Sequence, residues 1–263
     1  MRALAALLFC HMKFAAALLV LSCGLTAAAS AQKAVPVTGE PHHHLVYTGD
    51  RIRVFRVEVP AHSATLIHEH LVDYFWIAVG ASEYVNAAVG KPEAAVSAGD
   101  GSVHFTRGGF AHLARIDGAR PFRNVTLELP QAQTNPRNLC EAVIADQPVD
   151  CAPAMKRASD LFSGGLVRPE FETDQVRVTL LTLAPNEAID LAKHKRAPML
   201  VAVDDATGDV HITCPVADQP KGFAMQARSG NTYRLTGTAK CSMHNATKST
   251  VRFLAIEFAP AAK

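Results

Sequence analysis

The chain has almost no surplus of positive charge and few apolar stretches. Its 263 residues contain 26 Lys+Arg against 24 Asp+Glu, and the small difference comes from Arg2 and Lys13 in the N-terminal segment. Without a basic excess to neutralise phosphates, the composition argues against nucleic-acid binding. The only apolar run that could enter a bilayer lies near the N-terminus, which excludes a polytopic membrane protein. Because 49% of the residues are hydrophobic and only 19% are charged, the chain can bury a substantial core.

The N-terminal segment, residues 1–31, has the pattern of an export signal. Lys13 precedes the apolar run of residues 14–21, and Ala29-Ser30-Ala31 is a small-residue cleavage pattern. The run is too short to cross the ~30 Å hydrocarbon core, which argues against a membrane anchor. A lipoprotein signal at Cys23 is the alternative. We expect cleavage after residue 31, a periplasmic or secreted protein, and no membrane association afterwards.

The chain also lacks a C-x-x-C sequence, so a redox or zinc-ribbon motif is not expected. Cys140, Cys151, Cys214 and Cys241 remain after the predicted signal. An even number of cysteines in an exported chain indicates disulfides, although their spacing does not fix the pairing. We expect Cys140–Cys151 and Cys214–Cys241 because each pair lies within one segment.

Helical periodicity is weak from residue 44 onwards, and short alternating runs separated by Gly, Pro or Asp take its place. The predicted strands are Arg51–Val59, Tyr74–Val79, Glu83–Ala88, Ser102–Thr106 and Asn124–Leu129. Short strands with turns at this spacing are typical of a β-sandwich or β-barrel.

The second part of the chain repeats the pattern of the first. The matches are Val57–Pro60 with Thr182–Pro185 and Asp73–Val79 with Pro198–Asp204, both at a shift of 125, and Phe122–Leu129 with Val251–Phe258 at a shift of 129. We therefore predict two similar β units, at residues 40–130 and 173–263, joined by a linker at 131–172 that contains prolines and the first cysteine pair.

Eight of the 12 histidines lie between residues 42 and 112. His68 and His70 are two apart, so in a strand both rings face the same side. His112 follows the Gly108-Gly109 turn and could complete a trio, and Asp73 could add an oxygen ligand. Three imidazoles and a carboxylate suit a divalent first-row metal with open positions. We expect His42–His44 to be a solvated approach to the first strand, with a role at the rim of the site as the alternative.

These residues resemble the two sequence motifs of the cupin superfamily. The stretch His62–Gly80 is similar to the first motif and the stretch Gly101–His112 to the second. The residues at motif positions are His68, His70, Gly80, Gly101, Gly109 and His112, and Asp73 falls on the glutamate position when counted back from Gly80. The departures are His62 for Gly, Asp73 for Glu, Arg107 for Pro and Ile116 for Asn.

The resemblance covers residues 44–130 and, through the repeat, 172–260. It implies an all-β bicupin, with two tandem jelly-roll barrels, a divalent transition metal (Mn, Fe, Ni, Cu or Zn) at His68, His70, Asp73 and His112, and a small-molecule ligand or substrate. It further implies that the protein acts on a small organic acid or a phenolic, as a dioxygenase, decarboxylase or isomerase. A non-catalytic protein that binds a small molecule or a metal is the alternative. Cupins also pair through β edges, so a homodimer is a further expectation.

The second unit lacks an equivalent ligand set. The predicted shifts replace His68, His70 and His112 by Lys193, Lys195 and Cys241. Two ammonium groups repel a cation, so we expect the metal site in the first unit alone.

Overall fold

The computed structural model describes residues 33–191, 198–213, 222–235 and 241–258. The predicted export signal therefore lies outside the described residues. Residues 33–263 form one compact unit, within which we call residues 33–130 the first half and the remainder the second half.

The first half is built from short strands. These are β1 (Val35–Pro36), β2 (His43–Gly49), β3 (Ile52–Val59), β4 (His68–His70), β5 (Tyr74–Ala78), β6 (Ser82–Ala88), β7 (Ala94–Ala98), β8 (Val103–Thr106), β9 (Phe110–Arg115) and β10 (Phe122–Glu128), with a 3-10 turn at Val37–Gly39. All five strands predicted from the sequence are confirmed, with ends that differ by two residues at most.

The second half is also mostly β-structure, with one helix among its described residues. Its elements are β11 (Arg137–Asn138), α1 (Cys151–Leu161), β12 (Leu166–Glu172), β13 (Val176–Leu183), β14 (Ala188–Asp190), β15 (Met199–Ala202), β16 (Val210–Ile212), β17 (Phe223–Met225), β18 (Thr232–Arg234), β19 (Ser242–Asn245) and β20 (Val251–Phe258). No helix among the described residues is long and apolar enough to cross a membrane.

Among the described residues, each half contains two sheets. In the first half the strand orders are β1-β4-β9-β6-β7 and β2-β3-β10-β5-β8; in the second half they are β11-β12-β13-β20-β15-β18 and β14-β19-β16-β17. The central pairings are the same in both halves, because β3-β10-β5 corresponds to β13-β20-β15. The predicted all-β fold with two repeated units is confirmed.

Strand β5 shows how one sequence serves two cores. All five of its residues are buried. Tyr74 and Trp76 pack in the core of the first half, whereas Phe75 and Ile77 pack in a second core shared with residues of the second half. Successive side chains of a strand point to opposite faces, so a continuous apolar run indicates a strand that is covered on both sides.

The two halves are joined through this shared core. Phe75 packs against Phe171 with ring centroids 5.3 Å apart. At the edge of the contact, Arg252 Nη2 lies 2.6 Å from Asp100 Oδ2. Each half therefore has one sheet whose apolar outer face is covered by the other half, β2-β3-β10-β5-β8 in the first half and β11-β12-β13-β20-β15-β18 in the second.

The shared core corrects the predicted repeat by one residue. Strands β5 and β15 occupy equivalent positions in the two halves, and each places three side chains in the shared core. These are Phe75, Ile77 and Val79 in the first half and Met199, Val201 and Val203 in the second. Each pair differs by 124 positions, so the predicted shift of 125 was wrong by one residue. A shift of 125 would pair residues that lie on opposite faces of the two strands. For β10 and β20, the shift of 129 holds, since Val125 and Leu127 correspond to Leu254 and Ile256.

Residues 131–172, which we expected to be a linker, contain β11, α1 and β12. Strand β12 pairs with β13 over most of its length, so this segment adds to the larger sheet of the second half. The predicted disulfide Cys140–Cys151 is confirmed and ties the start of α1 to the chain after β11. Cys241 is disulfide-bonded, while Cys214 lies outside the described residues, so the pair Cys214–Cys241 stays a prediction.

Candidate metal centre

The structure brings the three predicted histidines together between the two sheets of the first half. His68 and His70 lie on β4 and are 1% and 2% exposed. His112 lies on the neighbouring strand β9, directly opposite His68. Ring centroids are 4.5 Å apart for His68 and His112, 5.2 Å for His68 and His70, and 5.6 Å for His70 and His112.

A glycine turn places β9 beside β4. Gly109 has a φ of +85°, which glycine adopts without steric cost, and its amide donates to His70 O at 2.7 Å. The chain then enters β9, so that His112 falls opposite His68. Glu69 points away from the two histidines that flank it, as the alternation of a strand requires.

Each of the three rings is held at Nδ1 by an oxygen acceptor. The acceptors are Leu66 O for His68 at 2.9 Å, Glu128 Oε1 for His70 at 3.1 Å, and Asn86 Oδ1 for His112 at 2.7 Å. An Nδ1–H that donates outward leaves the lone pair on Nε2, which is the arrangement of metal-ligating histidines. Nε2 of His68 and Nε2 of His112 are buried and have no hydrogen-bond partner among the described residues.

A fourth histidine, His43, lies at the same cluster. Its side chain is 6% exposed, and its ring centroid is 4.6 Å from that of His68 and 5.8 Å from that of His70. The ligand atoms of these three residues lie within 4.8 Å of one another. The prediction of a solvated approach was wrong for His43, and the alternative of a place at the site describes it. Its neighbour His44 is exposed, as predicted.

Asp73, the expected fourth ligand, is not brought to the cluster. Its Oδ2 accepts hydrogen bonds from Arg107 Nη1 at 2.8 Å and Gln133 N at 3.2 Å, and its Oδ1 accepts from Gly108 N at 3.1 Å. Asp73 does not line the cavity beside the histidines. Its carboxylate joins three chain segments at the end of β4, and the two-residue link after His70 is what directs it there.

The histidines line a cavity of about 70 Å³. Its wall is otherwise made of aromatic, aliphatic and small polar side chains from both sheets. The larger ones include Tyr74, Trp76, Tyr84, Phe110 and Phe122. No lysine, arginine, aspartate or glutamate lines it among the described residues. The site is thus an apolar-walled cavity with imidazoles at one end, a common form for small-ligand sites.

Burial keeps these imidazoles neutral. Burial, reinforced by the nearby His43, lowers the pKa of His68 to about 4, and burial with His43 and Arg53 lowers the pKa of His70 to about 3. Burial and the neighbouring histidines lower the pKa of His112 to about 2. The neutral ring is the form that binds metal, so protons do not compete for these three ligands near neutral pH.

Glu128, the last residue of β10, supports the cluster through its contact with His70. It is fully buried, and Arg53 Nη2 lies 2.7 Å from its Oε2. Burial raises the pKa of Glu128, and the Arg53 guanidinium opposes that shift. Because His70 is neutral, its contact with Glu128 is a hydrogen bond and not an ion pair.

The second half keeps only one histidine at the equivalent positions. At the corrected shift, His68 and His70 correspond to Ala192 and His194, and His112 corresponds to Cys241. Positions 192 and 194, like the Lys193 and Lys195 of the uncorrected alignment, lie outside the described residues. In the described part of the chain, the one group of metal-ligating side chains with closely spaced ligand atoms is in the first half.

The arrangement described so far defines a two-unit β protein with a buried histidine cluster in its first half. No protein-family model and no curated protein matches the sequence. Solved structures do resemble it. AerE from Microcystis aeruginosa aligns with a TM-score of 0.53 at 7% identity, covering 84% of this chain and 98% of that one.

Two further solved structures are similar over the same range. Protein Ylba from E. coli aligns with a TM-score of 0.51 at 10% identity, covering 83% of this chain and 84% of that one. Oxalate decarboxylase from Bacillus subtilis, a bicupin described with Mn(II) centres, aligns with a TM-score of 0.50 at 10% identity, covering 81% of this chain and 70% of that one. The chain therefore shares its fold with these proteins, which agrees with the fold that the sequence motifs implied. At these identities the likeness concerns the fold.

Proposed function

We propose that the chain is an exported metal-binding cupin whose first half holds one divalent transition metal and acts on a small organic molecule. His68, His70 and His112 would hold the metal. When bound, such a metal polarises a substrate oxygen and keeps open positions for a small ligand.

The main support for the proposal is that the three imidazole rings are held in place by hydrogen bonds. Three rings have Nδ1 fixed by an acceptor and are brought within 6 Å of one another. The Nε2 atoms of His68 and His112 are buried without a hydrogen-bond partner. Leaving a buried polar atom unpaired costs on the order of 1–3 kcal/mol. A cation that accepts both lone pairs offsets this cost. The Mn(II) centres of oxalate decarboxylase show that a protein of similar fold contains divalent metal.

The cavity size favours the smaller of the two substrate classes. An apolar cavity that takes up benzene in another protein measures about 150 Å³, whereas the cavity here is about 70 Å³. A phenolic ring does not fit inside without extending through the mouth. A short organic acid with its carboxylate on the metal fits inside the cavity, and the cavity wall excludes bulk water from the bound acid.

Non-catalytic metal binding is the second candidate function. The observation that favours it is the cavity wall, where the described residues supply no carboxylate or ammonium group for proton transfer to a bound substrate. General acid–base catalysis usually needs such a group.

Metal analysis of protein purified without chelator tests the proposal. We expect about one divalent metal ion per chain, as binding to a single preformed site requires. The variant His68→Ala/His112→Ala should lose the metal and keep its β-sheet circular dichroism. The control is His211→Ala, which removes an exposed histidine of the second half. Metal absent from the wild type, with none taken up on adding Mn, Fe, Ni, Cu or Zn, would contradict the proposal.

Turnover separates the two candidates. The loaded protein is incubated with small organic acids, oxalate included, and with simple phenols, while O₂ uptake, CO₂ release and product formation are followed. Turnover that the double variant loses supports an enzyme. Full loading without turnover supports a binding protein.

A further inference from the structure

The N-terminal segment that precedes β2 is built onto the strand that carries His68 and His70. Val35 of β1 pairs with His68 of β4 in a parallel ladder, and Val35 N donates to Ile67 O at 3.0 Å. Val37 is 3% exposed and packs in the core of the first half. The position of residues 35–43 is therefore tied directly to the histidine strand.

Within this segment, the carboxylate of Glu40 is buried and fully engaged. Glu40 is 2% exposed. Its Oε2 accepts from His42 N at 2.8 Å and lies 2.6 Å from His43 Nδ1, and its Oε1 accepts from Leu66 N at 3.2 Å. Burial raises the pKa of this carboxyl, but the hydrogen bonds from His43 and the two backbone amides outweigh burial and leave the pKa below its usual value.

The contact with Glu40 holds the ring of His43 as the rings of the three other histidines are held. Nδ1 is engaged by the carboxylate, which leaves Nε2 as the nitrogen available to a metal. The ring faces the cluster, since its centroid is 4.6 Å from that of His68. All four imidazoles thus share one pattern, in which an oxygen acceptor holds Nδ1.

We infer that His43 takes the ligand position that Asp73 was expected to fill, so that the metal is held by four imidazoles and no carboxylate. This inference rests on the proposed metal site and specifies its fourth ligand. Glu40 is a positioning residue, because it orients the ring of His43.

An all-imidazole site has a definite metal preference. Carboxylate and water ligands suit Mn(II), whereas imidazole suits Zn, Cu, Fe and Ni. Removing the carboxylate also leaves the site without a negative charge among its ligands. We therefore expect this protein to take up Cu(II), Zn(II) or Ni(II) in preference to Mn(II), unlike the Mn(II) centres named for the oxalate decarboxylase of similar fold.

Cu(II) is the probe, because its electron paramagnetic resonance reports coupled nitrogen nuclei directly. The full chain is stripped of metal, loaded with one equivalent of Cu(II), and compared with His43→Ala, Glu40→Gln and the control His44→Ala. His44 is the adjacent, exposed histidine. We expect four coupled nitrogens in the wild type and in the control, and one fewer in His43→Ala.

Affinity and selectivity give a second readout. In competition against a chelator, His43→Ala should bind Zn(II) at least about tenfold more weakly than the wild type. Removing a hydrogen-bond partner of a metal ligand already lowers metal affinity by about 10–100-fold, so removing a ligand itself should cost no less than the lower figure. Glu40→Gln should keep four nitrogens with altered coupling and lower Zn(II) affinity. The ratio of Zn(II) affinity to Mn(II) affinity should be higher for the wild type than for His43→Glu. The comparison is needed because almost any set of nitrogen and oxygen ligands binds Zn(II) more tightly than Mn(II).

The outcomes separate the inference from the proposed function. If the wild type and His43→Ala give the same nitrogen count and the same Zn(II) affinity, His43 is not a ligand and the inference is overturned, although the metal site stands. If the wild type and His68→Ala/His112→Ala both fail to bind Cu(II) and Zn(II), the proposed function fails as well. Should His43→Ala misfold, as judged by circular dichroism, His43→Gln takes its place.

Discussion

His68 and His112 are partners in the antiparallel pairing of β4 and β9, and their ring centroids are 4.5 Å apart. Residues that pair across two strands share a face of the sheet, and a slip of one residue would turn either ring to the opposite face. Their distance is therefore fixed by the register of two strands. The three outer acceptors, a backbone carbonyl, a carboxylate and an amide oxygen, then fix the direction in which each ring points.

The amide of Asn86 should matter for metal affinity and little for folding. Its Oδ1 lies 2.7 Å from His112 Nδ1, and Asn86→Ala removes the acceptor that orients this ring. Outer partners of metal ligands contribute about 10–100-fold in affinity. We expect a loss of that size in Zn(II) titrations, with an unchanged circular dichroism spectrum. Glu83→Gln, an exposed position on the same strand, is the control, and equal affinities in the two variants would contradict the role assigned to Asn86.

Asp73 should contribute to stability and not to metal loading. Asp73→Ala leaves the amides of Gly108 and Gln133 without their acceptor, and an unpaired buried donor costs on the order of 1–3 kcal/mol. Urea denaturation should show this loss while metal content per chain stays as in the wild type. For comparison, Asp117→Ala breaks an exposed ion pair with Arg115, which should cost less than about 1 kcal/mol. A metal-free but stable Asp73→Ala protein would restore Asp73 as a ligand.

Acid should destabilise the metal-free protein before it unfolds the metal-loaded one. The folded-state pKa values of His68 and His70, about 4 and about 3, lie below the usual value of about 6.5. Between these values the unfolded chain binds more protons than the folded one. The free energy of unfolding should therefore fall as pH drops below about 6.5, by up to about 1.4 kcal/mol per pH unit for each histidine.

Above pH ~6.5 these two histidines contribute no pH dependence, because both states are then neutral. Denaturation of the metal-free protein at several pH values between 7.5 and 4.5 measures the slope. Glu170 works in the opposite direction, since burial raises its pKa to about 7. The informative quantity is thus the difference between the wild type and His68→Gln, whose slope should be shallower; identical slopes would show that His68 is not neutral in the folded state.

The Cys140–Cys151 disulfide should stabilise the second half without affecting the metal centre. It closes a short loop between residues 11 positions apart, and a disulfide across a loop of that size contributes about 2–3 kcal/mol. The variant Cys140→Ser/Cys151→Ser should have a lower Tm than the oxidised wild type, with the same metal content. A loss of metal in this variant would show that the connection after the first half influences the histidine cluster.

The strands and the trio of histidines could be predicted because each depends on a local pattern. Alternation, glycine turns and the His-x-His spacing are all visible in the sequence, and the trio converges in the structure. The place of His43 could not be predicted in the same way. It depends on Glu40 reaching Leu66 N, a contact across 26 positions that only the folded chain brings about.

The direction of the Asp73 side chain could not be predicted from the motif for a related reason. A Cβ on Gly108 would lie 2.3 Å from the backbone of Val72, so the link after β4 packs tightly on the turn before β9. That close approach turns Asp73 towards Gly108 N and away from the histidines. Counting positions back from Gly80 identifies the residue, but the local backbone decides where its carboxylate points.

The apolar outer faces through which the halves meet limit what can be made from this protein by dissection. Ile52, Val54, Phe75 and Ile77 are at most 2% exposed and pack in the core that is shared with the second half. A fragment ending near residue 130 would present these side chains to water and self-associate. The second half therefore keeps the first half, with its histidines, from self-associating, and a fragment cut from this chain to keep the histidine cluster would first need polar residues along that face.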